Sequence, residues 1–273
     1  MRKLIVFLLL ASSLMARPYR YDPYAPFTEM FGAFWQWTVG SRAFLPPSSG
    51  GPPVTNLEAW YKADAGLTCT SGCSNGNSVT AWADQSSNGN NLACTSCGIY
   101  ESSTVGGGSH STVQLNGTSN FYTFGSALSQ GAITVFVVIR LTSDSGDTTL
   151  LGGSPASWGY AIPRASGGCE QATGLTNIAW IGCGTTAPDT LWHQMNVTFD
   201  GTATTAFRLG ESADGGSSAS SVTTNPVTAL GYSPAGGNGY LPGYIAEVLI
   251  YNAVLSSTNI GLVETYLRGK YGI

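Results

Sequence analysis

At 273 residues the chain is long enough for one large or two small domains, and its 42% hydrophobic content can fill a core, which excludes disorder as the main state. Only 10% of residues are charged, where an ordinary soluble domain has roughly 25%; a helical bundle, whose solvent faces need Lys and Glu, does not fit. The net charge of −4 leaves no basic stripe to neutralise phosphates, which argues against a nucleic-acid partner.

Arg2 and Lys3 precede the apolar run Leu4 to Leu10, and small residues follow at Ala11, Ser12, Ser13 and Ala16, the pattern of a secretory signal peptide over residues 1–16. The run is shorter than the ~20 apolar residues that span a bilayer. Residues 17–53 form a second region, in which Tyr19, Tyr21, Tyr24, Phe27, Phe31, Phe34, Trp35, Trp37 and Phe44 are followed by the Pro/Gly stretch Pro46 to Pro53. So much aromatic surface needs a partner. Either residues 17–45 fold back on the main domain, or they reach past a flexible linker to a membrane, a neighbouring subunit or a second copy of the chain.

From Val54 to Ile273 short apolar segments alternate with Gly, Asn, Asp and Ser clusters, predicting strand after strand. The segments are Leu57 to Ala63, Val79 to Ala83, Val113 to Asn116, Phe121 to Phe124, Ile133 to Leu141, Thr149 to Leu151, Trp158 to Ile162, Ile178 to Ile181, Trp192 to Phe199, Thr205 to Leu209 and Ile245 to Tyr251. Ile133 to Ile139 is apolar on both faces, which places it mid-sheet with material packed on each side. Gln194, Asn196 and Thr198 alternate with Met195, Val197 and Phe199, as in a half-buried antiparallel strand. One helix closes the chain: Ser256 or Ser257 caps it, Ile260, Val263 and Leu267 share a face, and Gly269 or Gly272 ends it. The fold class is all-β, two stacked antiparallel sheets with a short C-terminal α-helix.

Three stretches carry a resemblance. They are Leu57-Glu-Ala-Trp-Tyr-Lys-Ala-Asp-Ala-Gly66 with the turn Trp82-Ala-Asp84-Gln-Ser-Ser-Asn88-Gly-Asn90, the hairpin from Trp192-His193 to Asp200-Gly201, and the close from Gly243 to Ile273. Over residues 54–273 the chain resembles the laminin-G-like, concanavalin A-like jelly-roll domains of exported bacterial proteins. The resemblance implies a jelly-roll sandwich and says little of the ligand, since these motifs do structural work.

Six cysteines in an exported chain are read first as three disulfides. Cys169 and Cys183 flank a modest loop and form one expected pair, whose bridge is worth ~3 kcal/mol in the chain-entropy model. Cys69, Cys73, Cys94 and Cys97 then pair among themselves, with a four-cysteine zinc site as the rival reading of their C-x3-C and C-x2-C spacing. No cofactor is required, although Asp84, Asn88 and Asn90 bring calcium chemistry into one turn. Asx residues also fill turns by bonding their own backbone.

Laminarinase-type relatives of this fold place catalytic carboxylates as Glu-x-Asp-x-Glu on one strand, and no such triplet occurs here. Asp144 and Asp147 read as a solvated loop, and two histidines supply neither a triad nor a histidine zinc site. Sugar recognition calls for exposed aromatics that stack on a pyranose face, and Trp158, Tyr160, Trp180, Tyr232 and Tyr240 lie near Gly-rich turns. The reading is a secreted or cell-surface, noncatalytic module for carbohydrate recognition or adhesion on a polysaccharide or glycoprotein surface. Its rivals are a structural subunit of a surface assembly or virion, docking through residues 17–45, and a polysaccharide lyase or glucanase on the same fold.

Overall fold

The computed structural model describes residues 51–105, 107, 110–142, 149–153, 160–161, 169–171, 179–181, 191–200, 204–209, 218–219, 225–233 and 239–273. The expected leader and aromatic segment fall outside them. In chain order the strands are β1 (Leu57–Lys62), β2 (Leu67–Cys69), β3 (Val79–Trp82), β4 (Leu92–Ser96), β5 (Ile99–Val105), β6 (His110–Asn116), β7 (Phe121–Gln130), β8 (Ile133–Leu141) and β9 (Thr149–Gly153). Then come β10 (Tyr160–Ala161), β11 (Cys169–Gln171), β12 (Ala179–Ile181), β13 (His193–Phe199), β14 (Thr204–Leu209), β15 (Ser218–Ala219), β16 (Asn225–Leu230), β17 (Pro242–Tyr251) and the helix α1 (Ser257–Tyr271).

Among the described residues, the first sheet has eight strands, ordered β15-β14-β13-β8-β17-β6-β5, with β1 pairing the second half of β17. The second sheet has seven, ordered β10-β9-β16-β7-β4-β3-β2, and β11 pairs with β12 separately. Among the described residues every pairing between two of these strands is antiparallel. The sequence reading missed β2, β4, β5, β11, β15 and β16. Cysteine and Ser/Thr content masked β4 and β5, and Pro226 inside β16 argued against a strand.

Two cores result. Between the sheets, Tyr61, Trp82, Leu92, Tyr122, Ile133, Val135, Val137, Ile139, Val248 and Ile250 are buried together. On the far side of the first sheet, Phe136, Val138, Leu249 and Tyr251 pack under Ile260, Val263 and Leu267 of α1. The two apolar faces of β8 are thus divided between the two cores. Helix α1 starts at Ser256, whose hydroxyl accepts from the Asn259 backbone N–H, and stops at Gly272 in the left-handed region, both at predicted caps. Packing also reaches ahead of Val54: Pro52 is buried, and the Tyr251 hydroxyl donates to the Pro53 carbonyl at 3.0 Å. Among the described residues no helix is long and apolar enough to cross a membrane.

Candidate functional site

Three half-buried aromatic rings meet at one end of the second sheet. Phe121 opens β7, Tyr232 follows β16, and Tyr240 precedes β17. The two tyrosine rings stack, with centroids 4.4 Å apart and planes 20° apart, and Phe121 lies 4.9 Å from Tyr232 and 6.1 Å from Tyr240. Their backbone is tied down at short range: Gly231 N–H donates to Leu150, Leu241 N–H to Gly231, and Thr149 N–H to Gly239. Gly231 holds a φ of 85°, and Gly152 lies so close to the Tyr232 carbonyl that a Cβ there would collide with it. Burial, then the neighbouring Tyr240 phenol, raises the Tyr232 hydroxyl above its ordinary pKa. The platform is therefore preorganised and apolar on its ring faces.

The candidate calcium turn is closed by its own hydrogen bonds. Asp84 Oδ1 accepts from the backbone N–H groups of Trp60 and Ser86, and Oδ2 accepts from the Ser86 hydroxyl and the Asn90 N–H, all within 3.0 Å. Asn88 Nδ2 donates to the Leu57 and Glu58 carbonyls, and Asn90 Nδ2 donates to Glu58. The Tyr61 hydroxyl donates to the Asn90 carbonyl. These three side chains stitch the turn after β3 onto β1, and a cation would have to displace those donors. Among the described residues no group of three or more His, Cys, Asp or Glu forms a metal cluster.

A second polar cluster lies beneath α1. A bulge after Ile245 shifts the phase of β17, so that Glu247 sits opposite Val138 on the helix side of the sheet. There it is fully buried and accepts from Trp60 Nε1 at 2.6 Å, the Tyr271 hydroxyl at 2.7 Å, Lys270 Nζ at 2.8 Å and the Tyr266 hydroxyl at 3.0 Å. Lys270 also reaches Asp64 at 3.0 Å, and His110 Nδ1 lies 3.3 Å from Asp64. Burial raises the Asp64 pKa, but the Lys270 charge, with His110 adding to it, outweighs burial and holds it below the ordinary range. Burial, and secondarily the Glu247 charge, keep the Tyr266 and Tyr271 phenols protonated, so they remain donors. Both carboxylates are spent on pinning the helix instead of lining a cleft.

Disulfides join Cys69 to Cys73 and Cys94 to Cys97. Each pair closes its own small loop, which removes the four-cysteine zinc reading. Of the remaining candidates, Trp158, Cys183, Asp144 and Asp147 lie outside the described residues, and Tyr160, Trp180 and Cys169 are described only as backbone of β10, β12 and β11. The structure brings Tyr232 and Tyr240 together and adds Phe121, which sequence reading took only as a strand residue. Strict alternation in Phe121-Tyr-Thr-Phe124 carried the signal, because burying Tyr122 and Phe124 turns Phe121 outward. Glu247 stood as one carboxylate inside an apolar strand, and its partners are scattered from Trp60 to Tyr271.

Two stacked antiparallel sheets closed by one C-terminal helix are the architecture of a jelly-roll sandwich. Residues 107–261 match the concanavalin A-like lectin/glucanases superfamily, and the chain belongs to that family. No curated protein matches it in sequence. Among solved structures, domain 4 of AbnA, an extracellular arabinanase from Geobacillus stearothermophilus in complex with arabinotriose, is 16% identical with a TM-score of 0.52, covering 77% of this chain and 98% of that one. Trypanosoma rangeli sialidase is 12% identical with a TM-score of 0.53, covering 81% of this chain and 34% of the sialidase. A botulinum neurotoxin type C that interacts with two ganglioside molecules is 9% identical with a TM-score of 0.53, covering 78% of this chain and 52% of that one. The chain thus spans about a third of the sialidase and half of the toxin chain, and at these identities the likeness is one of fold.

Proposed function

We propose that this chain is an exported, noncatalytic carbohydrate-binding module that attaches to a polysaccharide or glycoprotein surface through the Phe121, Tyr232 and Tyr240 platform. The stacked, half-exposed tyrosine pair carries the reading. An aromatic face is negative and apolar, which suits the C–H face of a sugar ring, and rings already held in place lose little freedom on binding. Family membership and glycan-bound neighbours of the same fold support the ligand class. The basic and apolar leader pattern, with two disulfides, supports export and a secreted or cell-surface location.

The same fold hosts enzymes, and the disposition of acids argues for the noncatalytic reading. Glycan hydrolysis needs two carboxylates flanking an open bond. Glu247 is inaccessible under α1, and Asp64 is held by Lys270 and His110. Segment 17–45 serves in this reading as the attachment to a neighbour, a second copy or a membrane.

A glycan array on the full chain tests the proposal, run with and without chelator. Tyr232→Ala and Tyr240→Ala should each lower affinity about tenfold or more while leaving the thermal midpoint within a few degrees. Chelator should change nothing, because the Asp84 oxygens are already filled. Release of reducing ends from the bound glycan, or full binding by both variants, would overturn it.

A further inference from the structure

We infer that the glycan is neutral and unbranched and that it runs from the aromatic platform across the outer face of the second sheet. This rests on the proposed function and goes further by naming the ligand class and its path. Not one Asp, Glu, Lys, Arg or His occurs in β2, β3, β4, β7, β9, β10 or β16. Strands β1, β5, β8, β14 and β17 of the first sheet carry Glu58, Lys62, Glu101, Arg140, Arg208 and Glu247. An anionic sugar needs a cation or a dense set of donors where its carboxylate lands. The strands of this face offer no cation, and on β2, β3 and β4 the hydroxyls are spread one or two to a strand.

The outward side chains of this face are also small. Thr123 on β7 pairs with Ala93 on β4, Ala93 with Ala81 on β3, and Ala81 with Thr68 on β2. This row lies between inward-facing Trp82, Leu92 and Phe124, so its side chains point away from the core. Thr68, Ala93 and Thr95 are exposed, and Thr95 and Thr123 hydroxyls lie 3.4 Å apart. Phe121 and Thr123 are alternate residues of one strand and share its outer face, which makes the platform continuous with the row. Neighbouring strands are ~4.8 Å apart, close to the repeat of an extended glycan chain, so successive sugars meet successive strands. Methyl groups of Ala and Thr present a shallow apolar track and the hydroxyls bond a neutral sugar. Among the described residues of this row none is large enough to wall a recess for a branch or a bulky side group.

The test measures affinity of the full chain for a length series of neutral linear oligosaccharides (arabinan, xylan and laminarin fragments) and for polygalacturonate and sialyllactose. Affinity should rise with length for a neutral series. Ala93→Trp should remove that rise, weakening the long members about tenfold while leaving the shortest unchanged. Thr68→Trp, at the far end of the row, should cost only the last increment and serves as the second variant should Ala93→Trp fold poorly. Preference for the anionic ligands, or a length dependence that neither substitution changes, would overturn the inference while Tyr232→Ala still tests the platform. Absence of binding to every glycan overturns the proposed function and this inference with it.

Discussion

The two sheets share one core and differ in what they do with charge. The first is packed on both faces: its inner face meets the second sheet, and its outer face meets α1 over Phe136, Val138, Leu249 and Tyr251. It also buries Glu247 whole, with Lys270, Trp60 and two tyrosines around it. The second sheet has no charged strand residue, and its outer face stays open at Thr68, Ala93 and Thr95. Buried charge demands a fixed set of partners and so specifies one arrangement of helix on sheet, whereas an uncharged, unpacked face has no internal duty to perform. The contrast separates the layer that holds the fold from the layer left free to meet something else.

Breaking the Glu247 cluster is the largest expected blow to that contrast. Glu247→Ala strands four donors, Tyr271 buried and Trp60, Tyr266 and Lys270 half-buried, and should cost about 3–5 kcal/mol in chemical denaturation. Ala93→Ser on the open sheet should stay within about 0.5 kcal/mol. Comparable losses at both positions would mean the sheets are not divided in this way. Smaller in effect is the stitch between the layers: Asp84→Ala releases the Trp60, Ser86 and Asn90 donors and should cost about 2–3 kcal/mol, with or without calcium present. A loss that appears only when calcium is present would restore the metal reading of that turn.

Acid provides the finest probe. Because the folded Asp64 pKa is depressed, its contribution is complete above the unfolded value of about 3.9 and disappears as pH falls through the lower folded value. Unfolding free energy measured downward from pH 5 should therefore fall less steeply in Asp64→Asn than in the unaltered chain. Equal slopes would show that Lys270 and His110 do not hold this carboxylate.

Local pattern makes much of this fold legible in the sequence. The two-sided apolar run of β8, the inward and outward alternation of β13, and the Ser256 and Gly272 caps are all contained within a few neighbouring residues. Strands β4 and β5 were missed because Cys and Ser/Thr residues do not alternate visibly in hydrophobicity. Tyr232 and Tyr240 were legible as aromatics near glycines, but their stacking depends on how the ends of β16 and β17 come together. The Glu247 cluster was illegible for a stronger reason: Trp60 and Glu247 are 187 positions apart, and no window on the sequence contains both. Asp84, Asn88 and Asn90 offered either calcium chemistry or turn residues that bond nearby backbone, and the hydrogen bonds they make onto β1 and their own turn lie between positions too far apart for the sequence to choose.

The pairing of β1 with β17 has a consequence for how the chain comes to exist. The first strand of the sandwich finds its partner in the last, with Leu57 set against Tyr251 and Lys62 against Glu247. The seam cannot form until β17 has been made, and contacts this distant in sequence close slowly. Until then β1 has no neighbour in its own sheet, and the two ends of the sandwich stay apart until β17 joins them.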